Sequence, residues 1–497
     1  MENRYVLAID QSTSSTKAIL FDRQGQLVHR CSVDHCQYYP KPGWVEHDAE
    51  EIYKNTLKAI NMVLDESGIS RQQIAVLGIT NQRETVVVWD KKTGKPVYNA
   101  VVWQCQRGGK ICRRLEDEGL TGIVRKKTGL VLSPYFSAAK IKWILDNISG
   151  VRQRAEMGEI LAGTMDSWIL WNLTRGKVHA TDYSNASRTQ LFNIHELKWD
   201  NELLKIFTIP ASMLPKVKCS NVVFGYTLPD IVFEREIPIA GLMGDSHAAL
   251  FGQNCFKKGM VKITYGTGSS IMMNIGKEPL ESINGLVTSI AWGFDNEADY
   301  VFEGNINCTG ATIKWLVDEL QLISDSKISG KIAATVESNA GVYIVPAFVG
   351  LSAPYWDSDA RATITGISRG TKKAHIVRAA EESIAYQIKD ILDLMVIESG
   401  IQLQELRVDG GPTRDEFLMQ FQADMLNVTI VTSKIEELSA IGTAFMAGLA
   451  VGFWASREEI GALRAADTIF DCKMEEDTRA ILYKGWKEAI RRTLSTF

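Results

Sequence analysis

The sequence predicts an α/β protein in which one fold is duplicated, giving two large domains on either side of a shared cleft. Three observations carry this. The chain has 497 residues, more than one core organises, since single cores stop growing at roughly 250–300 residues. Helix-like and strand-like patterns alternate along most of it, as in α/β architectures. A strand, a loop of small hydroxyl residues and a returning strand occur twice, half a chain apart.

The first copy opens the chain. Tyr5 to Ile9 is an apolar run, Lys17 to Phe21 returns, and Asp22-Arg23-Gln24-Gly25 supplies a turn into Gln26 to Val33. The connection Asp10-Gln11-Ser12-Thr13-Ser14-Ser15-Thr16 is unlike the Asn-Gly or Asp-Gly of an ordinary hairpin. It offers hydroxyls and backbone N–H groups able to surround phosphate oxygens. Ile52, Leu57, Ile60 and Leu64 predict a helix over 49–64, followed by strands near 75–80 and 85–89. The second copy is Met260 to Ile263, the loop Thr264-Tyr265-Gly266-Thr267-Gly268-Ser269-Ser270, and Ile271 to Ile275. Further helices are expected over 308–320, 375–399 and 440–454, with a strand over 406–408 that runs into Asp409-Gly410-Gly411. The boundary falls at Gly252, dividing the chain into 1–252 and 253–497.

Hydrophobic residues make up 45% and charged residues 23% of the chain, a balance that excludes a disordered or fibrous protein. A net charge of −4 attracts neither nucleic acid nor an anionic membrane. The eight cysteines are scattered, with no CxxC pair followed by histidines, which argues against a structural zinc site and against a disulfide framework. The N-terminus has no signal-peptide pattern, and no apolar stretch approaches the ~20 residues of a membrane span. A cytoplasmic protein acting on a small molecule is the expectation.

Neither GxxxxGK[ST] nor a strand-linked GxGxxG is present. Phosphate binding would rest on the two hydroxyl-rich hairpins and the Gly410-Gly411 turn, which can also be read as a plain strand-to-helix turn. Asp245 reads as a helix cap or as a general base. Asn81-Gln82-Arg83-Glu84 reads as a surface ion pair or as a donor and an acceptor for adjacent hydroxyls. Trp103 and Tyr135 fit core aromatics as well as a site, and His247 reads as a packed histidine rather than a metal ligand.

Taken together, these segments resemble the FGGY carbohydrate kinases. The resemblance is carried by Tyr39-Pro-Lys-Pro-Gly-Trp-Val-Glu-His47, Gly78-Ile-Thr-Asn-Gln-Arg-Glu84, Asn185-Ala-Ser-Arg-Thr189, Tyr265-Gly-Thr-Gly268, Ala353-Pro-Tyr-Trp-Asp357 and Arg407-Val-Asp-Gly-Gly411. It implies an actin-like (ribonuclease H-like) ATPase fold that phosphorylates a primary hydroxyl of glycerol with ATP and Mg²⁺. The polyol would sit on the N-terminal side and the nucleotide on the C-terminal side. It further implies Asp245 as catalytic base, with Asp10 and Asp245 holding the metal. Arg83, Glu84, Trp103, Tyr135, Ser246 and Ser270 would then line the polyol pocket. Ser12, Thr13, Ser14, Lys17, Thr267, Gly310, Lys314, Gly411 and Asp415 would hold the nucleotide. A homodimer or homotetramer is implied by analogy alone.

The departures matter as well. Ser246 stands where glycerol-phosphorylating members usually carry glutamine, and Ser270 where they carry phenylalanine. Both remove volume, which keeps a four- or five-carbon polyol or ketose open as the substrate. A non-catalytic sugar sensor on the same fold is the remaining alternative. Lys17 stands for arginine and loses the planar fork. Ser12, Lys314 and Asp415 replace glycine, glutamine and asparagine, and an ionised Asp415 can only accept hydrogen bonds.

Overall fold

The structure is a computed structural model that describes residues 4–435, 437–463 and 468–495. The first half contains β1 (Tyr5–Gln11), β2 (Ser15–Phe21), β3 (Leu27–Asp34), α1 (Ala49–Ser67), β4 (Ile74–Asn81), β5 (Pro238–Gly244) and α2 (Asp245–Gly252). The strands β1 to β3 form an antiparallel meander, with β4 parallel to β1 and β5 parallel to β4. The second half contains β6 (Met260–Tyr265), β7 (Ser269–Gly276), β8 (Glu297–Ile306), α3 (Gly310–Asp318), α4 (Lys373–Ser399), β9 (Glu405–Gly410), α5 (Glu416–Leu426), β10 (Ile430–Thr432) and α6 (Leu438–Ala450).

The spatial order β5-β4-β1-β2-β3 of the first sheet is matched by β10-β9-β6-β7-β8 in the second, with the same strand senses. The duplication expected from the two hairpins is therefore a duplication of the whole sheet. Each sheet gains outer strands: Val223–Tyr226 beside β5, and Val287–Phe294 and Thr468–Phe470 at the two edges of the second. The central strands are apolar on both faces because helices cover both, the usual condition of parallel strands. Val6, Leu7, Ala8 and Ile9 of β1 are all fully buried.

Helix α1 shows how sequence sets an element. The Asp48 side chain accepts from the backbone N–H groups of Glu50 (2.8 Å) and Glu51 (3.3 Å), fixing its start. Ile52, Ile60, Val63 and Leu64 are buried, and the helix runs on to Ser67, three residues beyond its last apolar contact at Leu64. There the chain turns left-handed at Gly68 (φ 68).

The halves join by exchanging helices. α2 follows β5, yet its Ala248, Ala249, Leu250 and Phe251 share a core with Met272, Ala291, Trp292 and Val301 of the second half. In return α6, near the chain's end, lies on the first sheet, and its Thr443 hydroxyl donates to the Ile79 (3.2 Å) and Gly241 carbonyls. The two helices cross where neither has a side chain. A Cβ on Gly442 would lie 1.8 Å from the Ala248 carbonyl, and one on Gly252 would lie 2.4 Å from that of Leu438.

The carboxyl ends of β1, β4 and β5 and those of β6 and β9 all open on the cleft between the sheets, where α/β folds place ligands. A smaller four-stranded sheet, of Glu46–His47 before α1 and three strands between β4 and β5, carries the chain around Trp103 and Tyr135 to the same place.

Candidate active site

At the cleft five charges alternate in sign, four from the first half and Glu303 from β8 of the second. Arg83 Nε lies 3.1 Å from Asp245 Oδ1, and Arg83 Nη1 lies 3.0 Å from both Glu303 oxygens. Arg188 Nη1 donates to Glu303 at 2.9 Å, and Arg188 Nε donates to Glu84 at 2.5 Å. Arg83, Glu303, Arg188 and Glu84 are each at most 7% exposed. Burial alone would raise the Glu303 carboxyl, but the Arg188 and Arg83 guanidiniums hold it well below the usual range. Ser289 also donates to it at 2.7 Å.

Arg83 and Glu84 are thus not a surface pair, and each reaches a distant partner. The backbone of Glu84 is left-handed (φ 61), rare for a side-chain-bearing residue. His247 is buried, with Nε2 3.1 Å from the Ser289 hydroxyl, and burial pushes its pKa far down, so it is neutral. It is a packed histidine, as expected.

Asp245 is the first residue of α2, and the cap position belongs to Gly244. The cap reading therefore fails, because β5 delivers its last residue straight into the helix. Asp245 Oδ1 accepts its neighbour Ser246's N–H (2.6 Å) as well as Arg83. Its other oxygen has no partner among the described residues, and the side chain is 38% exposed toward the cleft. One oxygen is anchored and the other is open, which suits a proton acceptor.

Trp103 and Tyr135 stand against each other edge to face, with centroids 5.5 Å apart. Lys140, fully buried, fixes this wall by donating to the carbonyls of Tyr135, Phe136 (3.1 Å) and Glu84 (3.5 Å). Burial lowers its pKa to about 7. Burial, with Glu84, keeps the Tyr135 hydroxyl protonated. Trp103 Nε1 donates to Thr13 Oγ1 at 3.0 Å, tying this wall to the first hairpin loop. Ser246 and Ser270 are half-buried, and neither hydroxyl has a partner among the described residues.

The first loop is held by side chains and backbone together. Ser12 bonds across to Ser15 through backbone (2.9 Å) and hydroxyl (2.9 Å), and His35 Nε2 meets the Thr13 carbonyl at 2.9 Å. Ser14 is exposed at the tip. Asp10 sits below the loop, 8% exposed, and no described group donates to its carboxylate. Burial lifts its pKa to about 7, against the pull of Lys17 opposite it in the strand pair. Lys17 itself is taken by Glu437 at 2.8 Å. A buried carboxylate without hydrogen bonds fits a cation as its missing partner.

The second-half side is built differently. The Gly266 carbonyl accepts from Gly310 N–H (3.1 Å), and that of Thr267 accepts from Ala311 (3.0 Å), so the loop docks onto the first turn of α3. The Thr267 side chain is exposed. Gly410 has φ 102, and a Cβ there would lie 2.0 Å from the Tyr265 carbonyl, which explains the glycine and leaves Gly411 facing open space. Lys314 is 77% exposed and only 3.8 Å from Asp318. Asp415 caps α5, accepting from Leu418 N–H at 3.2 Å.

Sequence reasoning missed Glu303 and Arg188, which organise the charge chain. The available signal was a lone glutamate in the otherwise apolar run Tyr300-Val301-Phe302-Glu303-Gly304, and an arginine inside the matched stretch 185–189. Lys262 was missed too. It is 1% exposed on β6, on the face that also carries Thr264, whose hydroxyl donates to Asp409 at 3.1 Å.

Twin sheets around a cleft lined by paired charges on one side and glycine turns on the other define an actin-like two-domain carbohydrate kinase fold. Residues 5–252 match the N-terminal domain, and 261–451 the C-terminal domain, of the FGGY family of carbohydrate kinases. The chain belongs to that family. It is similar to glycerol kinase 1 of Thermotoga maritima, with 56% identity over 99% of this chain and 100% of that protein. It is also similar to glycerol kinase of Bacillus subtilis, with 52% identity over 99% of each. Among solved structures, Plasmodium falciparum glycerol kinase with ADP superposes with a TM-score of 0.95, 38% identity and 99% coverage of both chains. A ligand-bound xylulose kinase from Lactobacillus acidophilus (TM-score 0.88, 22% identity, 98% of this chain and 97% of that one) shares the fold.

Proposed function

We propose that the protein is a glycerol kinase, transferring the γ-phosphoryl group of ATP to a primary hydroxyl of glycerol to give glycerol 3-phosphate. The observation that carries this is the joint placement of Asp245, Arg83, Glu84, Trp103 and Tyr135 on one wall of the cleft, in a chain more than half identical to a glycerol kinase over its whole length. Residues 1–252 would supply the polyol side and 253–497 the nucleotide side.

Glu84 accepts from one substrate hydroxyl and Arg83 donates to its neighbour, while Trp103 and Tyr135 cover the carbon edge. The open oxygen of Asp245 takes the hydroxyl proton as the oxygen attacks phosphorus. Trp103 donates into Thr13, which turns the Thr13 proton toward the cleft, where a phosphate oxygen would accept it. The loops around Ser12, Ser14, Thr267 and Gly411 would surround the phosphates, with Gly310, Lys314 and Asp415 beside the nucleoside. Asp10, with Asp245, would hold Mg²⁺, which when bound neutralises phosphate charge. Closure of the halves excludes water, which would otherwise hydrolyse ATP.

One observation favours a second reading: the unpartnered Ser246 and Ser270 hydroxyls, which a four- or five-carbon polyol could engage. ADP release measured across glycerol, erythritol, pentitols and ketoses tests both. Preference for glycerol supports the first reading, preference for a longer polyol the second, and ATP turnover with none of them refutes both. The eight cysteines are free thiols, which suits the cytoplasm.

A further inference from the structure

On the outer face of the first half, away from the cleft, His29, Cys31 and Glu66 converge. His29 and Cys31 are two apart on edge strand β3 and so share a face, and Glu66 reaches them from the last turn of α1. His29 Nε2 lies 3.3 Å, and Cys31 Sγ 3.4 Å, from the same oxygen, Glu66 Oε2. The three donor atoms lie within 4.8 Å of one another, and they are the one such group among the described residues.

We propose that this cluster binds a single divalent cation of the zinc class through His29, Cys31 and Glu66, with water completing the coordination. Three features support it. With metal–ligand bonds of about 2.0–2.3 Å, a tetrahedral centre separates its ligands by roughly 3.3–3.8 Å, close to the spacing already present. The imidazole, thiolate and carboxylate donors select zinc, cobalt or nickel over magnesium or calcium, so the site is chemically distinct from that of Mg·ATP. And the last turn of α1 carries Asp65 and Glu66 and no basic residue; Arg71 answers Asp65 at 2.9 Å, which leaves Glu66 at the negative end of the helix dipole with no lysine or arginine partner among the described residues, where a cation is favoured.

Burial and Glu66 hold the Cys31 thiol protonated, at a pKa of about 11. Binding therefore releases the thiol proton to water as the sulfur–metal bond forms. His29 is 35% and Glu66 53% exposed, which gives the ion a path in. No linear spacing of cysteines records the site, because its ligands come from a strand and from a helix more than thirty residues further on.

Co²⁺ added to the chelator-treated full chain tests the proposal. The expected result is one equivalent bound, with a thiolate-to-cobalt charge-transfer band that Zn²⁺ abolishes by displacement. The band disappears in Cys31→Ser. In His29→Ala and Glu66→Gln, whose side chains are partly exposed and whose fold is therefore safe, affinity falls roughly tenfold or more. Zn²⁺ also raises the parent's Tm and leaves that of His29→Ala unchanged. Absence of the band at saturating Co²⁺, or a band that survives Cys31→Ser, overturns the assignment.

Discussion

The two lips of the cleft descend from one sheet design yet are built in opposite ways. The lip proposed for the polyol is a chain of side-chain charges, half-exposed Asp245 and buried Arg83, Glu303, Arg188 and Glu84, each fixed by the next, with Glu303 reaching in from β8 of the second half. The lip proposed for the nucleotide is backbone: carbonyls of Gly266 and Thr267 against a helix start, and a turn through Gly410 and Gly411. The difference teaches where specificity resides. A polyol is recognised by hydroxyls that need a fixed donor and acceptor, whereas phosphates can be recognised by main-chain N–H groups that any sequence provides.

Mutations can break or sharpen this contrast. Asp245→Asn keeps shape and removes the open acceptor oxygen. kcat should fall by about 10²–10⁴, with the thermal transition retained. Turnover within threefold of the parent would remove Asp245 from the chemistry.

Arg188→Ala strips buried Glu84 of its guanidinium partner and leaves buried Glu303 with Arg83 alone. Chemical denaturation should show a loss of about 3–5 kcal/mol, and the remaining folded protein should bind polyol more weakly. A loss below about 1 kcal/mol would mean that the charge chain is not a unit.

Asp10→Asn probes the proposed metal position through pH. The folded pKa of Asp10 is raised, so the folded state binds the proton more tightly than the unfolded chain. The cost of ionising it grows as pH rises from about 4 to about 7. Without divalent cation, Asp10→Asn should be more stable than the parent at pH 8 by up to about 4 kcal/mol, and the advantage should shrink toward pH 5. An advantage that does not change with pH would refute the raised pKa.

Filling the vacated space with Ser246→Gln and Ser270→Phe should raise the kcat/KM ratio of glycerol over erythritol about ten- to hundredfold, since a polar group left unpaired loses roughly 1–3 kcal/mol. If the ratio stays put, these serines do not set substrate size. At the small end, Lys314→Ala on the backbone lip should change stability by less than about 0.5 kcal/mol and the KM for ATP by less than threefold.

The same contrast explains what was legible in the sequence. The hairpins, α1 and the long helix α4 were readable because their patterns are local: alternation, a cap at Asp48, glycines at turns. Asp10 and Asp245 were readable because each sits at the carboxyl end of a strand, Asp10 as the last residue but one of β1 and Asp245 just after β5. Glu303 and Arg188 were not, since their meaning lies in meeting across more than a hundred residues of chain, which no local pattern records. Nor could periodicity tell that the helix at 438–450 would lie on the first sheet rather than its own, because an apolar face does not name its partner.

That exchange has a consequence for how the molecule can be divided. The boundary proposed at Gly252 falls between β5 of one sheet and β6 of the other, but it is not where the protein could be cut. A fragment ending there would leave the faces of β1, β4 and β5 without α6, and a fragment beginning after it would lack the Phe251 ring that packs 5.2 Å from Trp292. The duplicated halves are thus mutual completions rather than modules, and biosynthesis of the first must wait on the last sixty residues of the chain for its core to close.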